Sequence, residues 1–274
     1  MTAAAASLSM VGALSRAKAA SNGLITPETN RFLREILEKA LSNPVGVAPR
    51  WLAEAWALLA NVLVNDYLHS WNHAGRAELN KAEEAAGNAL AIDPELALGH
   101  HANGLVLRAR GDHQAAYDAF TRAVQYDPYF ARALAQQGNE LTLLGRPEEA
   151  VPCAEAAIKL SPNDPTAGIF HWVKGRAHFF AGKYSDAIPS LERSVELHPT
   201  VWYNWLYLVS AYARVDMAQA IAMLAQFVGQ PLFGGLTLKD VQEYEKASPN
   251  DNNIVVEARE AFHEGLKIAG MKEQ

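Results

Sequence analysis

Apolar residues recur along most of this chain at the spacing of one helical face. Trp56, Leu59, Ala60 and Leu63 fall at i, i+3, i+4 and i+7, and Trp205, Leu208 and Tyr212 begin the same pattern later. Phe32, Leu33, Ile36, Leu37, Ala40 and Leu41 keep helical period behind Thr26-Pro27, a pair suited to opening a helix. The pattern breaks between Gly229 and Gly235. Two further helices are predicted near Leu238 to Lys246 and Ile254 to Ala269, the last with Val255, Ala258 and Phe262 on its inner stripe. Residues 1–24 are rich in alanine, with only Leu8, Val11 and Leu14 as a weak stripe, and read as a flexible or weakly helical tail. Residues 25–274 read as one helical domain.

A longer period overlies the helical one. Pro94, Pro128 and Pro162 recur at a constant interval, and Pro199 follows three positions late. Four other columns keep that register: Gly104, Gly138, Gly175; Gly111, Gly145, Gly182; Ala116, Ala150, Ala187; Ala123, Ala157, Ser194. One three-residue insertion at Asn163-Asp164-Pro165 accounts for every shift, with Asp164 expected to cap an early-starting helix. The first glycine column lets two helices approach closely, and the second sits where a helix must turn back. The alanines admit a tight crossing, and each proline stops the second helix, as in Asp127-Pro128-Tyr129 and His198-Pro199-Thr200. A further copy is interrupted, because the step from Ala60 to Ala82 is longer by ten positions than the matching step from Gly104 to Ala116. The extra stretch, around Asp66 to His73, is expected to protrude and to be dispensable for folding.

The interval of about 34 residues and the residue types at each column resemble the tetratricopeptide repeat (TPR). The resemblance implies an all-α solenoid, a right-handed superhelix of antiparallel helix pairs, with about five repeats plus end helices that cover the open ends. It also implies that the first helix of each pair lines a concave groove for a partner protein or peptide. The groove positions that follow are Asn61, His101, Leu105, Arg108, Arg132, Asn139, Trp172, Arg176, Phe179 and Tyr203. Three arginines among aromatic and aliphatic side chains suit an acidic segment that also carries apolar residues. The alternative is that these arginines pair with acids on neighbouring second helices and hold the stack together. The lysine and asparagine clamp of chaperone-binding repeats is not met, since His101 and Leu105 occupy two of its places.

Residues Gly175 to Tyr184, the preceding Asn163-Asp164-Pro165 and the final Glu264 to Gly270 are similar to a narrower group. They resemble the TPR region that follows the catalytic domain in bacterial class III adenylate cyclases, over most of residues 80 to 270. That resemblance implies a bacterial protein with a regulatory or assembly role. It implies no cyclase activity, because helical repeats leave no room for the cyclase sheet and its aspartates.

Charge and composition narrow the chemistry. The chain carries 24 basic and 30 acidic residues, a net charge of −6, and no basic run, so nucleic acid is not an expected partner. No apolar run reaches the roughly 18 residues of a membrane helix, so no membrane partner is expected. Arg16 and Lys18 follow the early apolar stretch rather than precede it, unlike a secretory signal. Cys153 is the sole cysteine, which excludes an internal disulfide and fits the cytoplasm. His69 and His73 share a metal-like spacing, but no carboxylate completes a motif, and neither metal nor cofactor is expected. His171, His178 and Cys153 read as interior side chains. No phosphate loop, nucleophile elbow or dinucleotide fingerprint occurs, so the chain is not expected to be an enzyme. The weighed alternatives are a fixed subunit of a larger complex, a regulatory module of a signalling enzyme, and a metal-assisted enzyme subunit built on His69 and His73.

Overall fold

A computed structural model describes residues 3–21, 26–44, 46–68, 75–246 and 250–274, which form fourteen helices and no strand. Two compact units divide the chain, Met1–Ala133 and Leu134–Gln274. In the first unit α3 (Pro49–Leu68) packs on α4 (Arg76–Ile92), and α5 (Ala97–Ala109) on α6 (His113–Tyr126). In the second, α8 (Pro147–Leu160) lies against α9 (Ala167–Phe180), which pairs with α10 (Tyr184–Leu197). There α11 (Trp202–Val215) pairs with α12 (Met217–Val228). Helix α7 spans Ala131–Leu143. The all-α repeat architecture predicted from the columns is therefore present.

Each column acts as its chemistry requires. A Cβ on Gly175 would sit 2.6 Å from Leu191 Cγ, so only glycine lets α9 meet α10 at this distance. Gly111, Gly145 and Gly182 have φ of 85°, 75° and 71°, a region that L side chains rarely adopt. Ala116, Ala150, Ala187, Ala123 and Ala157 are fully buried. Ser194, the one polar member of its column, donates its hydroxyl to the Gly168 carbonyl at 2.8 Å, which satisfies the buried oxygen. The insertion behaves differently from expectation. Asp164 accepts from the Thr166 amide (2.7 Å) and hydroxyl (2.6 Å), closing a turn, and α9 begins only at Ala167. An aspartate can bond its own backbone two residues on, so the extra residues become loop rather than helix.

The first unit opens with α1 (Ala3–Ser21) and α2 (Pro27–Leu41), both packed on α3. The buried stripe of α1 is Met10, Ala13, Leu14 and Ala17, while Val11 is 36% exposed. Thr26 caps α2 by accepting from the Thr29 amide, and Leu33, Leu37, Ala40 and Leu41 are buried, but Phe32 faces solvent.

A polar network joins α2, α3 and α4. Asn30 Nδ2 donates to the Val62 carbonyl (3.0 Å) and to Asp66 Oδ1 (2.7 Å). Arg34 Nη1 donates to Asp66 Oδ2 (2.9 Å) and to Glu78 Oε2 (3.0 Å). Asn30, Asp66 and Glu78 are all buried. This corrects the expectation at the start of the excursion only: Asp66, Tyr67 and Leu68 extend α3, and Asp66 is part of the interior. Ser70, Trp71 and Asn72, with His69 and His73, lie outside the described residues.

In the second unit α13 (Leu238–Lys246) and α14 (Asn253–Ile268) follow α12. Helix α14 packs on α11 and α9, with Val255, Ala258, Phe262 and Leu266 buried as its inner stripe. A Cβ at Gly265 would strike the Ser210 hydroxyl, and that hydroxyl donates to the Phe262 carbonyl at 3.1 Å. Asn250 and Asn252 donate to the carbonyls of Leu143 (2.8 Å) and Leu144 (3.2 Å) at the end of α7.

Asp66→Ala leaves Asn30 and Arg34 without their shared acceptor. Breaking a buried pair costs about 3–5 kcal/mol. Because Glu78 still holds Arg34, the expected loss is near the lower end, about 3 kcal/mol. Urea unfolding measures it, and a change within about 0.5 kcal/mol, as for an ordinary surface site, would place Asp66 outside the core.

Candidate functional site

Helices α3 and α5 and the first residues of α7 carry the predicted binding residues of the first unit. His101 is buried, its ring tilted against Phe130 at 5.0 Å and edge-on to Phe120 at 5.6 Å. Neither ring nitrogen has a hydrogen-bond partner among the described residues. The Arg108 guanidinium lies 5.1 Å over the Phe120 ring. Arg108 and Arg132 both bring positive charge to bear on His101, so these three predicted residues are neighbours. Leu105 is half-buried against the core, and Asn61 is half-buried with a side-chain oxygen that has no hydrogen bond among the described residues.

In the second unit the site gathers around Arg176. This side chain is only 7% exposed, yet no carboxylate pairs with it among the described residues. Its Nη1 donates to Asn139 Oδ1 at 2.6 Å. Its guanidinium lies 4.8 Å over Phe180, 5.1 Å over Trp172 and 6.0 Å over Tyr207. Three aromatic faces supply cation–π attraction in place of a counterion. Burial pushes the Tyr207 hydroxyl above its usual range, although the charge of Arg176 and a hydrogen bond from it pull the other way. The Arg176 Nε and the Trp172 Nε1 are buried without partners among the described residues. Trp172 is half-buried and packs on Tyr203 at 4.9 Å, extending the aromatic surface toward α11.

The structure brings Asn139, Trp172, Arg176 and Tyr203 together. Phe179 does not share that face. It is 1% exposed, enclosed by Tyr184, Tyr207 and Phe262, because α14 lies over this stretch of α9 and α11. The last helix, expected to cover an end of the stack, covers the expected floor instead. Sequence reasoning also misses Phe180 and Tyr207, neither of which stands at a predicted groove position. The arginines do not follow the stack-pairing alternative at Arg176, whose partners are an amide, a phenol and rings. His171 and His178 are half-buried rather than interior, and burial lowers the pKa of each. Cys153 is half-buried too, its thiol pushed up by burial and by Glu149.

Among the described residues no group of three or more His, Cys, Asp or Glu is placed to hold a metal ion. No described helix is long and apolar enough to cross a membrane.

Residues 101–165 and 173–230 match the family model described as tetratricopeptide repeat. The chain thus carries tetratricopeptide repeats, in an all-α fold. Among solved structures it is similar to PilW, a widely conserved type IV pilus biogenesis factor, at 19% identity and a TM-score of 0.57. That match covers 77% of this chain and 90% of PilW. PilF of Pseudomonas aeruginosa matches at 20% identity and 0.51, covering 76% of this chain and 92% of its own. A thermophilic TPR protein of Thermus thermophilus matches at 18% and 0.51, covering 67% and 91%. At these identities the likeness is one of fold.

His101 offers a test of the buried site. Desolvation, followed by Arg108 and Arg132, pushes its pKa down to about 3 from the 6.5 of a free imidazole. Below pH 6.5 the unfolded chain takes up a proton that the folded chain refuses, so stability falls as pH drops toward 3. The ideal slope is about 1.4 kcal/mol per pH unit. His101→Phe keeps the aromatic packing and should flatten the loss of stability between pH 6.5 and 4.5 relative to wild type. Parallel curves in denaturant titrations across that range would show that the imidazole is solvated.

Proposed function

We propose that this chain is a non-catalytic, cytoplasmic scaffold that binds a segment of another protein or a peptide. The binding faces are those of the first helices in each pair. In the first unit they carry Asn61, His101, Leu105, Arg108 and Arg132, and in the second Asn139, Trp172, Arg176 and Tyr203. Phe179 joins the second face only as support beneath α14. The ligand is an acidic segment that also carries apolar side chains.

The observation behind this reading is Arg176. A guanidinium withdrawn from water without a carboxylate is costly, and a protein that only needed packing there would be better served by methionine or leucine. Bidentate hydrogen bonding to a ligand carboxylate would offset that cost, and Trp172 and Tyr203 beside it offer apolar area of the kind enriched at interface hot spots. The likeness of Gly175 to Tyr184 and of Glu264 to Gly270 to repeats appended to adenylate cyclases favours a regulatory or assembly role in a bacterium.

The test is a titration with peptides selected from an array in which Asp and Glu alternate with Leu, Phe and Ile, beside matched peptides in which Asn and Gln replace the acids. Arg176→Met should weaken the acidic peptides by at least fivefold, equivalent to about 1 kcal/mol, while leaving the melting temperature unchanged or raised. Added salt should slow association of wild type, since exposed charges are screened beyond about 8–10 Å. Trp172→Ala should weaken binding with little salt dependence. Unchanged affinity of Arg176→Met together with a lowered melting point would mean that the arginine serves the stack alone.

A further inference from the structure

Helix α12 is apolar on two faces. Ala220, Leu224 and Phe227 are buried against the core shared with α11. Beside them Ala218, Ile221, Ala222, Ala225 and Val228 form a second stripe at i, i+3, i+4, i+7 and i+10, and all five are exposed. Ile221 is 53% exposed and Val228 43%. A helix that is apolar all round is ordinarily buried all round.

The preceding second helix shows what covers such a stripe. One repeat earlier, Ala187, Leu191 and Ser194 of α10 occupy the places of Ala220, Leu224 and Phe227. In that register Ile188 matches Ile221 and Val195 matches Val228. Ile188 is half-buried against the core and Val195 is only 9% exposed, because α11 stacks on α10. Past α12 the chain turns away: Phe233 folds back on Phe227 at 4.8 Å, and α14 goes to α9 and α11. The stacking face of α12 is complete and has no helix stacked on it among the described residues.

Charge selects the occupant. Between Asp216 and Lys239 the sequence has no charged residue. A face without charge meets its own copy with no like-charge repulsion, and it offers nothing by which a charged partner would be chosen. The alanines at 218, 222 and 225 let a second helix approach closely, as alanine columns do inside the repeats. We propose that α12 pairs with α12 of a second copy about a two-fold axis, each supplying the neighbour that the other lacks. A helix of this length spans about 18 Å, so the contact falls short of the roughly 800 Å² per partner of a standard interface. The pairing is therefore weak and reversible, with a dissociation constant of about 10–100 µM.

Sedimentation velocity of the full chain across that range tests it. Wild type should move from the 29.8 kDa monomer toward twice that mass as concentration rises. Ile221→Glu and Ile221→Lys, alone, should each weaken self-association at least tenfold, with unchanged circular dichroism because Ile221 is exposed. An equimolar mixture of the two should associate again, since opposite charges then face each other across the axis. Ala225→Arg and Ala225→Glu give the same series one turn further along, should an Ile221 variant fail to fold. A wild type that stays monomeric throughout would overturn the proposal. So would charged variants that associate as wild type does, or a mixture that does not recover, since the face would then meet a different surface.

Discussion

Two helices can lie against each other at short range only where one of them has no side chain to hold them apart. Gly104 beneath Phe120 and Gly175 beneath Leu191 meet that condition, since a Cβ at either would come within 2.6 Å of its neighbour. Much follows from it. Fixing where α9 crosses α10 fixes the rotation of α9 about its own axis, and with it the direction of every other α9 side chain. Arg176 comes directly after Gly175, so the contact that seats the helix also fixes the arginine among Trp172, Phe180 and Tyr207. The alanine columns do for the second helices what the glycines do for the first.

The same constraint explains how polar groups come to be inside. Closely packed small residues leave little room for water, so any polar side chain on those faces must find its partner within the protein. Ser194 finds the Gly168 carbonyl, and Asn30 finds Asp66 and the Val62 carbonyl. Arg176 finds Asn139 and the rings of Trp172, Phe180 and Tyr207, but no acid among the described residues. His101 finds two rings, and its burial together with two neighbouring cations keeps it neutral. The satisfied groups read as architecture, and the two that are least satisfied lie on the faces assigned to a ligand.

What the sequence disclosed follows the range of the contacts involved. Columns one repeat apart record contacts between helices adjacent in the chain, and every copy repeats the record, so the pairs and their turn glycines are read directly. Asp66 bonds to Asn30 once, in one place, with no second copy to make a column, and the residues around it look like surplus. The position of α14 depends on where α9 and α11 leave room, and its own stripe of Val255, Ala258 and Phe262 would fit any apolar face. Phe179 is a groove position by its place in the repeat, which says nothing about a helix arriving from the far end of the chain. Arg176 and Trp172 are legible because a stripe on one helix needs only helical geometry.

The clasp of α14 on the second unit has a kinetic consequence. Repeats fold through contacts between neighbours, which close small loops and form quickly. Asn250 and Asn252 reach Leu143 and Leu144 across 107 and 108 residues, and Ser210 reaches Phe262 across 52. None of these contacts exists until α14 itself has been synthesised. The helix pairs therefore assemble during synthesis with the Phe262-facing sides of Phe179 and Tyr207 open to water, and α14 docks after them, latching α9 and α11 together.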